Sequence, residues 1–236
     1  MARSHGSATR VIVNNAHLSG SLAGWRFEHR RLMADNTNLL STGEQWKPGQ
    51  LAGSLGLTGF FDAAVGDITD TLQTAATTTD GLLVTAFAET PAIGSWAFIG
   101  AGNVSARDYP APVKDLVKIQ VTGTPNDGID MGVTLHVLGA ETASTNSTSV
   151  DNAAASSNGA VASLHVTAYS GLTNIVIKSQ HSTDNSAWSD LMTFTTVTGT
   201  TWERKTVTGT VNRYTRSLWT VSGSGSCTFA MVLARR

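Results

Sequence analysis

Six short segments crowd the last eighty or so residues of the chain: SLHVTAYS, NIVIKSQHS, LMTFTTVTG, ERKTVTGTV, TRSLWTV and CTFAMVLA. Turn-rich text such as STDNSA and SGSGS separates them. Short runs of β-branched and aromatic residues, punctuated by Gly, Ser, Asp and Asn, predict strands and reversals. That many strands in that length predict a β-sandwich or jelly-roll. Within TVTGTVNRYTRSLWTVSG (Thr206 to Gly223) the apolar alternation slips at Asn212–Arg213, so a turn or bulge belongs there.

The upstream half reads the same way. TRVIVNN, GWRFEHRRLM, LGLTGFF, GLLVTAFAE, GSWAFIGAG, LVKIQVTGT and MGVTLHVLG are strand-like. One short helix is predicted in DAAVGDITDTLQTA, with Asp62 as its cap and Val65, Ile68 and Leu72 on one face. A long polar connection, ADNTNLLSTGEQWKPGQ, joins the second and third strands, and loops of that length are usually functional or ordered by a partner. GAETASTNSTSVDNAAASSNG (Gly139 to Gly159) holds small polar residues with Val150 as its one large aliphatic side chain. It cannot bury enough apolar surface to offset its ordering entropy, so it reads as a linker. The expected organisation is a β domain over 1–140, a Ser/Thr/Ala-rich linker over 141–154 and a second β domain over 155–236. VTGTPN (121–126) and VTGTVN (207–212) echo each other, but their spacing to Trp96 and Trp188 differs and coincidence is the better account.

Charge is sparse, 14% against roughly 25% in an ordinary domain. A long surface with few charges is comfortable when partners cover it. The net charge of −1 leaves no basic footprint for gripping nucleic acid. Residues 1–140 hold 9 Lys/Arg and 12 Asp/Glu, a balance of −3, while 141–236 hold 7 and 5, a balance of +2. The N-terminal MARSHGSATR lacks a signal-peptide core, and no apolar run approaches the ~18 residues of a membrane helix. Cys227, alone in the sequence, sits in strand-like SCTFAMVLA and is expected to be buried and reduced.

Residues that carry chemistry do not assemble into a motif. His5, His17, His29, His136, His165 and His181 show no metal-ligand spacing. Gly53, Gly56 and Gly59 lack the Lys-Ser/Thr of a phosphate loop and imply close packing or a bend. Asp127 and Asp130 in NDGID lack the remaining ligands of a calcium loop and imply a β-turn. HSTDNSAWSD is similar to the Asp-box turn of sialidases, with Ser182, Asp184 and Trp188 in architectural roles. Asp184, Asp190 and Glu203 could pair as glycosidase carboxylates only at a suitable separation, and Trp188, Trp202 and Trp219 could stack on sugars or fill a core. No catalytic, cofactor or metal residue is assigned, and the expectation is a protein that is not an enzyme.

Particular strings carry more. LSTGEQWKPGQLAGSLGLTGFFDA, SWAFIGAGNVSARDYPAPVKDLVKIQVTGT and DGIDMGVTLH resemble, in order, the long loop, the Gly-Phe-Phe-Asp approach to a helix and the closing strands of the major tail tube proteins of long-tailed, non-contractile bacteriophages. NGAVASLHVTAYSG, IKSQHSTDNSAWSDLMTF, VTGTVNRYTRSLW and TFAMVLARR are similar to the C-terminal region of many such tail proteins. Simple members of the family stop after one tube domain.

The resemblance implies a tail-tube-type β-sandwich with one short helix, followed by a β-sandwich or jelly-roll-like domain. It implies a virion subunit, assembled in the host bacterial cytoplasm, whose copies form rings that stack into the tail tube. The rings would be hexamers, or trimers of pseudo-hexameric form if each chain holds two tube-like domains. Tape-measure and tail-terminator or tip proteins would be partners, DNA a passing cargo, and membrane none. The long loop would reach the neighbouring ring through Asn36, Thr37, Trp46, Lys47, Pro48 and Gly49. Arg213 and Arg216 would serve subunit contacts. The rival expectation is a carbohydrate-binding β-sandwich of a host-recognition tail protein.

Overall fold

A computed structural model describes residues 9–62, 64 and 67–236. In chain order the elements are β1 (Arg10–Val13), β2 (Ala16–His17), β3 (Leu22–Asp35), β4 (Trp46–Phe60), α1 (Ile68–Thr77), β5 (Leu82–Phe87), β6 (Trp96–Asp108) and β7 (Lys118–Glu141). They continue as β8 (Thr145–Asn146), β9 (Val150–Asp151), β10 (Ala160–Ser182), β11 (Ser189–Thr193), β12 (Thr201–Val207) and β13 (Tyr214–Arg235). The fold is all-β with one short helix, and every strand pairing is antiparallel.

β7 joins the two halves. Its first residues pair with β4 on one edge and β6 on the other, while its last residues, from Val133, pair with β13. The main path of the sheet runs β11-β10-β13-β7-β6-β5-β1-β2, with β3 and β4 branching from β7 and β12 from β10. Several of the expected strands are longer than the text suggests. SLHVTAYS and NIVIKSQHS are one strand, β10, and TRSLWTV and CTFAMVLA are one strand, β13. The apparent turns do not reverse the chain because they face each other in the ladder. Ser170 pairs with Ser226 and Leu172 with Gly223, and Gly171 and Gly223 take φ values of 73° and 91°. A left-handed residue on each strand at the same level bends both strands together instead of ending either. The slip at Asn212–Arg213 is a true boundary, since β12 ends at Val207 and β13 starts at Tyr214.

The NDGID text also differs from its expectation. Asp127 and Gly128 both have positive φ, but they form a bulge inside β7 and not a reversal. Gly100 pairs with Ile129 and Gly102 with Pro125, so β7 carries the extra residues opposite β6. The helix starts later than Asp62 implies. Asp67 is its cap, accepting from the Ile68 amide at 2.6 Å, while Asp62 accepts from the Ala64 amide. Ile68, Leu72 and Ala75 face the core, so the buried stripe begins next to Asp67, and a cap satisfies orphan amides only in the first turn. Val65 lies outside the described residues.

Alternate side chains of β5 feed two cores. Leu82, Val84 and Ala86 pack with α1, Leu55, Leu57, Ile119 and Val121. Leu83 and Phe87 pack with Ile12, Ala97 and Ile99 against Ala230, Val232 and Ala234 of β13. The opposite face of β13, Phe229, Met231 and Leu233, fills a third core with Leu164, Val166, Ile175 and Cys227. A strand buried on both faces reads as an unbroken apolar run, which explains CTFAMVLA. Burial also pushes the Cys227 thiol up to about 11.

The segment expected to be a linker is not free of the fold. β8 pairs with β13 at Leu218–Trp219 and β9 pairs with it at Tyr214–Thr215. Trp219 Nε1 donates to Ala143 O at 3.0 Å, and Asn152 Nδ2 donates to Arg213 O at 2.9 Å. The small side chains that could not build a core of their own lie against an edge that needed covering.

Candidate functional site

The loop-borne candidates sit on a β-hairpin arm. Among the described residues β3 pairs only with β4, from Leu22–Gly59 out to Asp35–Trp46, and no described strand lies on its other edge. β4 meets β7 only through Leu55–Phe60. Beyond that the two strands have only each other among the described residues, and from His29 to Leu51 every residue except Ser41 is exposed. The arm is anchored at the β7 bulge, where the Ile129 amide donates to His29 Nδ1 at 3.3 Å.

The expected loop is therefore shorter than its polar text. Trp46, Lys47, Pro48 and Gly49 begin β4, with Trp46, Lys47 and Pro48 opposite Asp35, Ala34 and Met33. Pro48 fits because that edge of β4 has no second partner to receive an amide. Gly49 is required for close approach, since a Cβ there would lie 2.9 Å from Leu32 O. Asn36 and Thr37 lie in the connection. The Asn36 amide donates to Gln45 O at 2.7 Å, and Thr37 Oγ1 accepts from the Gln45 amide at 2.9 Å. Asp35 accepts from Thr37, which holds its carboxyl below the usual range.

Asn38 shapes the tip. Its side chain accepts from the Leu40 amide at 2.9 Å and its carbonyl accepts from the Ser41 amide, also at 2.9 Å. The resulting turn points Leu39 and Leu40 fully into solvent, next to half-exposed Leu32, Met33 and Trp46. Asx turns organise a loop without a core, so the apolar tip is built and not merely left over. The NLL in a polar run was the sequence signal for it.

Exposed large hydrophobics are distributed unevenly. Fifteen are found among the described residues, and all lie between Leu32 and Met131. Six belong to the arm. Another six, Phe60, Phe61, Tyr109, Val113, Leu116 and Val117, cluster where β4 ends and β7 begins. Phe61 and Tyr109 meet edge to face at 6.3 Å, while the Phe61 amide donates to Val117 O and the Lys118 amide to Pro110 O. Residues 141–236 expose none.

Arg213 and Arg216 are engaged within the chain. Arg213 forms a two-bond pair with Asp151, at 2.7 and 2.6 Å, which pulls that carboxyl down to about 2. Arg216 donates twice to Gln180 Oε1 and lies 4.1 Å over the ring of Trp188. Trp219 is 3% exposed, and Trp202 and Trp188 are half-buried, so none offers an open sugar platform. The turn holding Asp184 is architectural: its carboxylate accepts from Ser186, Ala187 and Ser182. Asp190 bonds Lys178 and Gln180, and Glu203 bonds Thr195. Among the described residues no group of three or more His, Cys, Asp or Glu side chains is placed to hold a metal ion.

No family model and no curated protein matches the chain. Among solved structures, a protein of the native gene transfer agent virion shares 12% identity over 53% of this chain and 96% of its own, with a TM-score of 0.43. A chain from the tail of the empty gene transfer agent particle, refined with C6 symmetry, shares 15% over 54% and 97%, with a TM-score of 0.37. The SPP1 Dit protein, described as a hub adsorption apparatus of phages infecting Gram-positive hosts, shares 11% over 96% and 99%, also with a TM-score of 0.37. Likenesses of this depth place no family name on the chain.

Proposed function

We propose that the chain is a structural subunit of a bacteriophage tail whose copies assemble into rings and stack into the tail tube, the conduit for genome delivery. The observation that carries this reading is that, among the described residues, exposed large hydrophobics lie only between 32 and 131, six of them on the projecting arm. Contiguous exposed apolar surface marks interaction sites. The edge of β3, which no described strand covers, is a second demand for a partner, because open strand edges invite pairing. Both features belong to the half that resembles a tube domain. In this reading residues 1–140 build the wall, and residues 155–236, which expose no large hydrophobic side chain, face outward. Asn36, Thr37 and Trp46 to Gly49 reach the neighbouring ring. Tape-measure, terminator and tip proteins are the expected partners, and DNA passes through without being held.

Negative-stain electron microscopy of the purified protein over a concentration series, with native mass measured alongside, tests the reading. Stacked rings or tubes are expected, with six or three chains per ring. Discrete rings that never stack would keep the ring and refute the tube. A chain that stays monomeric across the series, with or without tail-tip extract as initiator, would refute both.

A further inference from the structure

We propose that His136 and Glu141 form a proton-dependent latch that fastens the 141–147 segment across β13 and lets it lift when the proton leaves. The inference stands apart from any role in a tail. His136 lies near the end of β7, and two register shifts against β13 bracket it. Such bulges re-aim a side chain. Its ring stacks on Phe229 at 4.0 Å and meets Trp219 edge to face at 4.8 Å, 6% exposed. Glu141 ends β7 and begins the segment. Just beyond it, Ala143 O accepts from Trp219 Nε1 at 3.0 Å and Ser144 Oγ accepts from the Val221 amide at 2.8 Å. Ser147 Oγ then accepts from the Ser217 amide at 3.0 Å. The latch therefore stands at the root of the cover over Trp219 and the edge of β13.

The two ring nitrogens set the proton count. Nδ1 lies 3.1 Å from Phe229 O, which only accepts, so Nδ1 carries a hydrogen. Nε2 lies 3.2 Å from Glu141 Oε1. That second contact is a hydrogen bond only when one more proton sits in it, as imidazolium beside carboxylate or imidazole beside carboxylic acid. Without the proton a nitrogen lone pair faces a carboxylate, and Glu141, whose side chain is 26% exposed, has water to turn to. Burial lowers the ring's hold on a proton more than Glu141 and the Phe229 carbonyl raise it. The proton is then lost as pH rises toward the usual histidine value near 6.5, and the latch is open at neutral pH. Relative to the unfolded chain, acid still costs stability at this buried ring. Relative to a chain with only the segment lifted, acid favours the closed latch, because Glu141 departs while the ring stays against Phe229. Other titratable groups around the pair are engaged elsewhere. Cys227, opposite Glu141 in the ladder, has its thiol pushed up to about 11. On β10 the Tyr169 hydroxyl donates to Leu172 O, and His165 is turned to Asn14 and Thr85. Arg216 donates to Gln180, and Asp151 is held by Arg213.

Amide hydrogen exchange of the whole chain at pH 5 and pH 7.5, expressed as protection factors, tests the latch. The amides of Ser217 and Val221, which donate into the segment, should lose about tenfold in protection at the higher pH, the worth of one charge-assisted hydrogen bond. Glu141→Gln places an amide N–H against Nε2 of the neutral ring, so protection in that variant should stay at the acid wild-type level at both pH values. The Asn152 amide, which donates to Arg213 O beyond the latch, is the internal control and should not change. Wild-type protection that is equal at the two pH values overturns the proposal. So does a Glu141→Gln variant that loses protection as the wild type does, or an equal loss at Asn152 in both proteins, which would be general loosening.

Discussion

His165 Nδ1 lies 2.6 Å from the carbonyl oxygen of Asn14, a contact that ties β10 to the turn after β1, strands far apart along the same sheet. A carbonyl only accepts, so Nδ1 carries the proton. In the neutral ring Nε2 then accepts from Thr85 Oγ1 at 2.7 Å, and Ser163 Oγ stands 2.9 Å beyond. All of it is fully buried, with no carboxylate among these partners, and burial pulls the imidazole down to about 4.

That value sets a pH dependence. Between pH 6.5 and 4 the unfolded chain binds a proton at His165 and the native chain does not, so stability falls as pH drops through this window. At 1.36 kcal/mol per pH unit the loss from this residue totals roughly 3 kcal/mol and levels off below pH 4. Burial also lowers His136 and His181, which add to the slope. Urea melts at pH 7, 5.5 and 4.5 should show the fall, and His165→Gln should flatten the slope by about one proton while costing stability at pH 7. An unchanged slope in the variant would assign the effect elsewhere.

Asp130 is the acceptor for two cations. It bonds Arg236 at 2.9 and 3.1 Å and Arg204 at 3.3 Å, and its side chain is 10% exposed. Asp130→Asn should cost about 2–3 kcal/mol, because half-buried guanidinium groups lose their countercharge. Asp127 touches Arg204 at 3.5 Å from an exposed position. Asp127→Asn should cost less than about 1 kcal/mol. Equal losses in chemical denaturation would contradict the difference in burial.

Gly223 sits where the paired bends of β10 and β13 need a left-handed residue. A Cβ there would lie 2.6 Å from the Thr173 amide nitrogen. Gly223→Ala should destabilise by about 1–3 kcal/mol, whereas Gly199→Ala, with nothing within 4 Å of its Cβ, should be within about 0.5 kcal/mol of wild type. Thermal melts of the two variants compare them directly.

The arm should separate folding from assembly. Leu39→Asp with Leu40→Asp changes two side chains that touch no core, so monomer stability should stay within about 0.5 kcal/mol. Stacking, followed by light scattering and electron microscopy, should be lost. Trp46→Ala removes a half-exposed ring whose indole donates to Glu44, and it should weaken stacking with equally little effect on the melt. Normal stacking in both variants would remove the arm from the contact.

Arg213 ties the 141–159 segment to the body through Asp151, and Arg235 does so through the carbonyls of Asn152 and Ala154. The wild type should resist protease in this segment despite its Ser/Ala-rich text. Arg213→Ala with Arg235→Ala should open it to cleavage, read by the mass of the fragments. Equal cleavage of both proteins would show that these arginines do not hold it.

The local text determined the class of element almost everywhere. Runs such as GLLVTAF and CTFAMVLA could bury two faces only as central strands, and the slip at Asn212–Arg213 marked a real boundary because pattern and turn chemistry are local properties. The arm was visible as a long polar segment holding Trp46, Lys47 and Pro48. What a strand does with an internal Gly-Ser break was not local. Ser170–Gly171 and Ser222–Gly225 spell turns, and only the pairing of Leu172 with Gly223 made them matched bends in two long strands. Likewise Thr145–Asn146 and Val150–Asp151 have no core of their own, and the open edge of β13 gave them one to lie against. Leu39 and Phe61 are both plain apolar residues in the sequence. Their exposure at opposite ends of one strand was decided by tertiary structure, because burial depends on which neighbours arrive and not on the residue itself.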